Sequence, residues 1–224
     1  MEERMTKHLP TTGRKGPGLV SESIRKTLER DLNDLVASRD RIYELSRDLR
    51  RTSQQAMRRI HAGEHPDGQF QHIRGLTSQL VSEASRRGLE ADETVEVALQ
   101  EAVEANLLFS LVRGKPLPSP ESLSVGPVAY LLGLSDLVGE MRRLAVSALS
   151  RGRPKEAQAT LTQMDEVLSV LMHFDAPRGV IALKHKQDTA RNLIERMRGE
   201  VAMAMYLESI VEETQRAGRG KGRP

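Results

Sequence analysis

The chain contains no cysteine and no tryptophan. The first absence excludes disulfides, a thiolate nucleophile and every cysteine-based zinc site. Aromatic residues make up 3% of the 224 residues, namely Tyr43, Phe70, Phe109, Tyr130, Phe174 and Tyr206. So sparse a set disfavours a β-sheet platform that stacks nucleobases. No apolar run approaches the ~20 residues needed to span a bilayer, and the first residues lack the apolar core of a secretory signal. A cytoplasmic protein with no membrane partner is expected. Phosphate-binding loops of the Walker type, a dinucleotide fingerprint and a G-x-S-x-G elbow are also missing.

What is present is 38% hydrophobic and 29% charged residues with a net charge of +3, the balance of an ordered globular chain. The charge is unevenly placed. Residues 1–20 carry Arg4, Lys7, Arg14 and Lys15 against two acids, and residues 214–224 carry Arg216, Arg219, Lys221 and Arg223 against none. The body between them is therefore acidic, and the basic pI belongs to the ends. Both ends read as solvated, disordered tails; contact with nucleic acid is the sharper alternative.

Between the tails the apolar residues recur with helical period, and no alternating strand pattern survives. The expected fold is all-α: one multi-helix bundle over residues 21–213, with about six to seven helices and long first and last ones. Ser21 suits an N-cap, followed by Ile24, Leu28, Leu32, Leu35, Ile42, Leu45, Leu49, Ala56 and Ile60 up to His61. This stretch contains neither glycine nor proline, and a helix of that length reads as a scaffold or an assembly arm. Further helices are expected over Asp67–Arg87 before Gly88, Ala91–Val112, Val128–Ser150 and Pro154–His173. A last one, capped by Asp175 with Pro177 in its first turn, is expected to continue to Gln215. Residues 115–127 contain four prolines and form a connector with at most a short helical turn.

Two pairs of acids stand out. Glu101 and Glu104 are three residues apart on the third helix, so they share a face beside Leu99, Ala102, Val103, Ala105, Leu107 and Leu108. Two carboxylates beside an apolar stripe repel each other, and a divalent cation would relieve the cost. Oxygen ligands of this kind favour Mg²⁺ or Mn²⁺ over zinc. The plainer alternative is a solvated acidic face. Asp136 and Glu140 are four apart on the next helix, Asp136 between Leu134 and Leu137. An acid in such a run needs a hydrogen bond, a metal or a partner, and Arg142 or Arg143 could supply a structural ion pair. Gly133 and Gly139 would let a neighbouring backbone or ligand approach Asp136 closely.

Arg39, Arg41, Arg47, Arg50, Arg51, Arg58 and Arg59 crowd the first helix, with Asp40, Glu44 and Asp48 interleaved at ion-pair spacing. They read either as a salt-laced exposed face or as a stripe that contacts phosphates. His61, His65 and His72 lie around a loop containing Pro66, at spacings too loose for zinc. His173 and His185 have no evident partners. The acid pairs thus form a candidate site without histidine.

The run from Pro127 to Leu144, PVAYLLGLSDLVGEMRRL, resembles the signature helix of the translin and translin-associated factor X family. Leu99–Ala105, LQEAVEA, is similar to the acidic helix of that family, and weaker likeness extends over residues 25–212. The resemblance implies a seven-helix subunit assembled into a hollow, roughly octameric shell that binds single-stranded RNA or DNA. Factor X-like subunits cleave RNA with Mg²⁺ through a carboxylate cluster; the matching positions here are Glu101, Glu104 and Asp136, with Glu140 as a further candidate ligand. Translin lacks an acid at the position of Asp136, so the chain resembles the catalytic branch. It departs from the family pattern at Ala102, where an aromatic is common, and at Ala129, where an acid is common; neither change removes a ligand. On this basis a homo-oligomeric, Mg²⁺-dependent endoribonuclease is expected, with Arg142, Arg143, Arg50 and Arg51 holding the RNA backbone. A non-catalytic nucleic-acid-binding shell of the translin type and a purely structural helical oligomer are the other readings.

Overall fold

The computed structural model describes residues 20–177 and 181–220. Among them are seven helices and no strand: α1 (Glu22–His61), α2 (Asp67–Arg87), α3 (Glu93–Val112), α4 (Pro120–Leu123), α5 (Pro127–Ser150), α6 (Pro154–Met172) and α7 (Leu183–Gly220). No helix of the described residues is long and apolar enough to cross a membrane.

The helix ends follow from local chemistry. Proline stands in the first turn of α4, α5 and α6, where its missing N–H costs nothing and its fixed φ is already helical. Asp92 caps α3 by accepting from the Thr94 amide at 2.9 Å, so the helix expected from Ala91 starts at Glu93. Gly88 ends α2 at φ 64°, and the Ala84 and Ser85 carbonyls receive the cap amide, a left-handed conformation that glycine adopts without steric cost.

The last helix differs from expectation at both ends. It starts at Leu183, and Asp175 and Pro177 lie in non-helical chain. The amide of Gln187 donates to the carbonyls of Leu171 at 2.7 Å and Phe174 at 2.8 Å. The end of α6 and the residues after it are thereby tied down by α7, and the cap expected from Asp175 is displaced. At the other end α7 passes Gln215 and reaches Gly220, into the segment expected to be a disordered tail. An i,i+4 pair between Glu212 and Arg216, 3.4 Å, supports its late turns. The remaining tail readings, residues 1–19 and 221–224, lie outside the described residues.

The chain divides into two units, with the boundary between Asp40 and Arg41 inside α1, where the sequence suggested no break. In the first unit Ile24, Leu28, Leu32, Leu35 and Val36 are exposed, so the early apolar stripe of α1 is unburied. In the second unit the stripe continues as core: Ile42, Leu45, Leu49, Ala56 and Ile60 join one apolar cluster. Helix α5 packs against α3, α6 and α7, and Leu137, Val138, Met141 and Ala145 on it are fully buried. Phe70 of α2 stacks on Phe109 of α3 with ring centroids 4.0 Å apart.

The approach of α5 to α3 is set by Gly133. A Cβ there would lie 2.7 Å from Val103 Cγ1 and 2.8 Å from the Gln100 carbonyl oxygen. Gly139, expected to play a similar part, faces open space. Gly133→Ala should therefore cost about 1–3 kcal/mol by forcing the two helices apart, whereas Gly139→Ala should be neutral or stabilise by up to about 1 kcal/mol through helix propensity. Urea denaturation of the two variants beside the parent checks this contrast, and equal stabilities for the two would refute it.

Candidate carboxylate site

With α3 and α5 in contact at Gly133, the side chains one turn further along both helices face each other. Glu101 and Glu104 come from α3, Asp136 and Glu140 from α5, and the other three act electrostatically on Glu104. Its carboxyl is pushed up to about 8, first by burial and then by the charges of Asp136, Glu140 and Glu101, while Lys186 pulls the other way. This coupling links acids from two separate helices, which spacing along single helices could not establish.

Each acid around Glu104 is held by the protein. Arg50 Nε donates to Glu101 Oε1 at 2.9 Å and Gln54 Nε2 donates to Oε2 at 2.8 Å. Lys186 Nζ donates to Asp136 Oδ1, and Gln100 Nε2 donates to Oδ2. His61 Nε2 contacts Glu140 Oε2, and Arg143 lies 4.0 Å from the same oxygen. Glu104 alone of the four makes no hydrogen bond or ion pair among the described residues. Among those residues, no three His, Asp or Glu side chains are already closed on a point that would hold a metal ion.

Several readings of the sequence change here. Asp136 does have an ion-pair partner, but it is Lys186 from α7 and neither Arg142 nor Arg143. Arg142 pairs with Glu200 at 2.7 Å, and its Nε is buried without a partner. Arg51 pairs within α1 to Asp48 at 3.2 Å, as interleaved spacing suggests, whereas Arg50 reaches across to α3. The site is not free of histidine: His61 ends α1, as expected, and its side chain is 9% exposed against Glu140. Lys186, Gln100 and Gln54 were not singled out. Gln100 adjoins Glu101 in the acidic run, which is the one signal that could have found it; nothing local marks Lys186.

The donor set consists of carboxylate oxygens, and the central one carries repulsion that no neighbouring base fully offsets. That chemistry fits a hard divalent cation such as Mg²⁺ or Mn²⁺. Glu101, Glu104, Asp136 and Glu140 are the residues that would hold it, once Asp136, Glu101 and Glu140 turn from their protein partners.

Beside Glu101 lies a groove of about 460 Å³, lined by three arginines, Arg47, Arg50 and Arg51, one acid, Glu44, and Tyr43, Gln54 and Thr94. Arg50 and Gln54, which line the groove, also hold Glu101. An acidic centre flanked by a basic furrow is the arrangement expected of a protein that handles a polyanion.

The fold and the site together define an all-helical bundle with a paired-helix carboxylate centre. A profile of the Translin family matches residues 37–201, and the chain belongs to that family. An uncharacterised protein of Methanocaldococcus jannaschii is 26% identical over 185 residues, covering 81% of this chain and 83% of the relative. The crystal structure of AfC3PO aligns with a TM-score of 0.74 at 27% identity, over 81% of this chain and 97% of the other. AfC3PO in complex with duplex RNA aligns with a TM-score of 0.70 at 26% identity, over 81% and 96%. Apo-NeC3PO, at 19% identity, shares the fold with a TM-score of 0.75 over 84% of this chain and 100% of that one.

The raised carboxyl of Glu104 has a consequence for metal-free stability. Its folded-state value lies above the ordinary one, so the folded protein binds the proton more tightly than the unfolded chain. The associated stability is complete below about pH 4.5, falls as pH rises, and is lost above about pH 8. In chelator, the melting temperature attributable to this group should fall over that window, and Glu104→Gln should remove the fall. At pH 9 the variant should melt roughly 10 °C above the parent. Thermal melts in EDTA from pH 5 to 9 measure this difference; parallel curves for the two proteins would refute it.

Proposed function

We propose that this chain is a metal-dependent endoribonuclease acting on single-stranded RNA inside a homo-oligomeric shell in the cytoplasm, on the factor X-like branch of its family. The observation that carries the reading is that the charges of three carboxylates, Asp136, Glu140 and Glu101, act on a buried Glu104 that makes no hydrogen bond or ion pair among the described residues. Asp136, the acid that translin lacks by resemblance, is part of that convergence.

Bound Mg²⁺ or Mn²⁺ would lower the cost of generating a nucleophile from water and offset charge on the phosphodiester. The chain's own residues do the rest. Glu101, Glu104 and Asp136 would hold the cation, with Glu140 as a further oxygen ligand. Arg47, Arg50 and Arg51 line the groove beside Glu101 and hold the RNA backbone through its phosphates, which requires no particular sequence. Arg143, next to Glu140, stands at the edge of the site. Arg142, engaged with Glu200, contacts RNA only after leaving that pair.

Assembly is supported by apolar surface on two helices, considered separately. Ile24, Leu28, Leu32 and Leu35 are exposed on the early part of α1, and Met203, Tyr206, Leu207, Ile210 and Val211 on the later part of α7. Faces of this kind mark interfaces, and an octamer is the assembly the family resemblance implies. One observation favours the second reading, a binding shell without catalysis: every acid except Glu104 is already engaged by a protein cation or amide.

Labelled single-stranded RNA separates the two. With Mg²⁺ the full-length protein should cleave it, and chelator should abolish cleavage. Glu101→Ala, Glu104→Ala and Asp136→Ala should each lower kcat by about 100-fold or more while RNA binding persists. A parallel duplex substrate reports whether the preference is for single strands. Binding with no metal-dependent cleavage would select the non-catalytic shell.

A further inference from the structure

The metal-dependent reading leaves unexplained a cation already seated on one of the proposed ligands. Lys186 lies in the first turn of α7, which packs against α5. Its ammonium donates to Asp136 Oδ1 while the Gln100 amide donates to Oδ2, so both oxygens of Asp136 are in use. Glu104, close by, has no partner. Lys186 is also the cation whose charge draws the Glu104 carboxyl back toward its ordinary range.

We propose that Lys186 is the resident cation of the carboxylate site, a positioning residue that occupies Asp136 in the metal-free protein and surrenders it to an arriving divalent ion. This rests on the metal-dependent reading above. The residue types favour the exchange. Lysine carries a compact charge on a flexible four-carbon stem. The Lys186 side chain is 31% exposed and Asp136 25% exposed, so the ammonium has solvent to swing into. Lysine and metal would be alternatives for one carboxylate. The lysine then stabilises the empty cluster and weakens its affinity for the ion.

Direct metal binding tests this without reference to cleavage. Mn²⁺ is titrated into the full-length protein without RNA, and the free ion is followed by electron paramagnetic resonance. Lys186→Met and Lys186→Gln should bind Mn²⁺ about tenfold more tightly than the parent, because each removes a competing positive charge. Lys186→Arg, which keeps the charge, should bind no more tightly than the parent. A merely structural ion pair predicts the opposite, since its loss would loosen Asp136 and weaken binding. Circular dichroism establishes which variants are folded, and Lys186→Gln carries the test where Lys186→Met is not. Equal or weaker binding by the folded neutral variant overturns the proposal and leaves the metal reading standing. Absence of Mn²⁺ binding from parent and variants alike overturns both.

Discussion

The contact between α3 and α5 governs the rest of the site. At Gly133 the two helices come so close that a Cβ would lie 2.8 Å from the Gln100 carbonyl oxygen. That closeness brings the face carrying Glu101 and Glu104 opposite the face carrying Asp136 and Glu140. Four carboxylates are thereby held together by apolar packing that does not depend on them: Val103, Leu107, Leu137, Val138 and Met141 are all buried around the same contact. The hydrophobic effect fixes the helices, and the electrostatic cost falls on the acids.

The protein handles that cost acid by acid. Arg50 and Gln54 from α1 engage Glu101, Gln100 and Lys186 engage Asp136, and His61 and Arg143 engage Glu140. Glu104, surrounded by the other three, is left to hold its proton more tightly. This arrangement is stable without an ion and is also one that an ion would change. Ion pairs of partly buried groups contribute less than their geometry suggests, because desolvation opposes the attraction. Exchanging such pairs for a divalent cation is therefore a smaller step than the number of contacts implies.

Much of the helical framework was legible in the sequence because its signals are local. Gly88 ends α2, Pro127 and Pro154 open α5 and α6, and the prolines of residues 115–127 leave only the single turn of α4. The start of α7 was not legible, since Asp175 and Pro177 look like a helix opening and the competing influence is Gln187, bonded to carbonyls more than a dozen residues earlier. Gly133 and Gly139 look alike in sequence, yet one lies against a neighbouring helix and the other against open space. The partner of Asp136 was assigned to arginines a turn or two away, because short-range spacing was the only guide available.

Residue order alone determined the all-helical class, the exclusion of thiol and cysteine-zinc chemistry, and the placing of each acid pair on a single helix face, since all of these follow from composition and from a period of 3.6 residues. Tertiary structure decided that the two pairs face one another, that Glu104 is the member left without a partner, and that Lys186 and His61 belong beside them. Those facts depend on how helices far apart in the chain pack together, and no repeat within a helix encodes the separation between it and another.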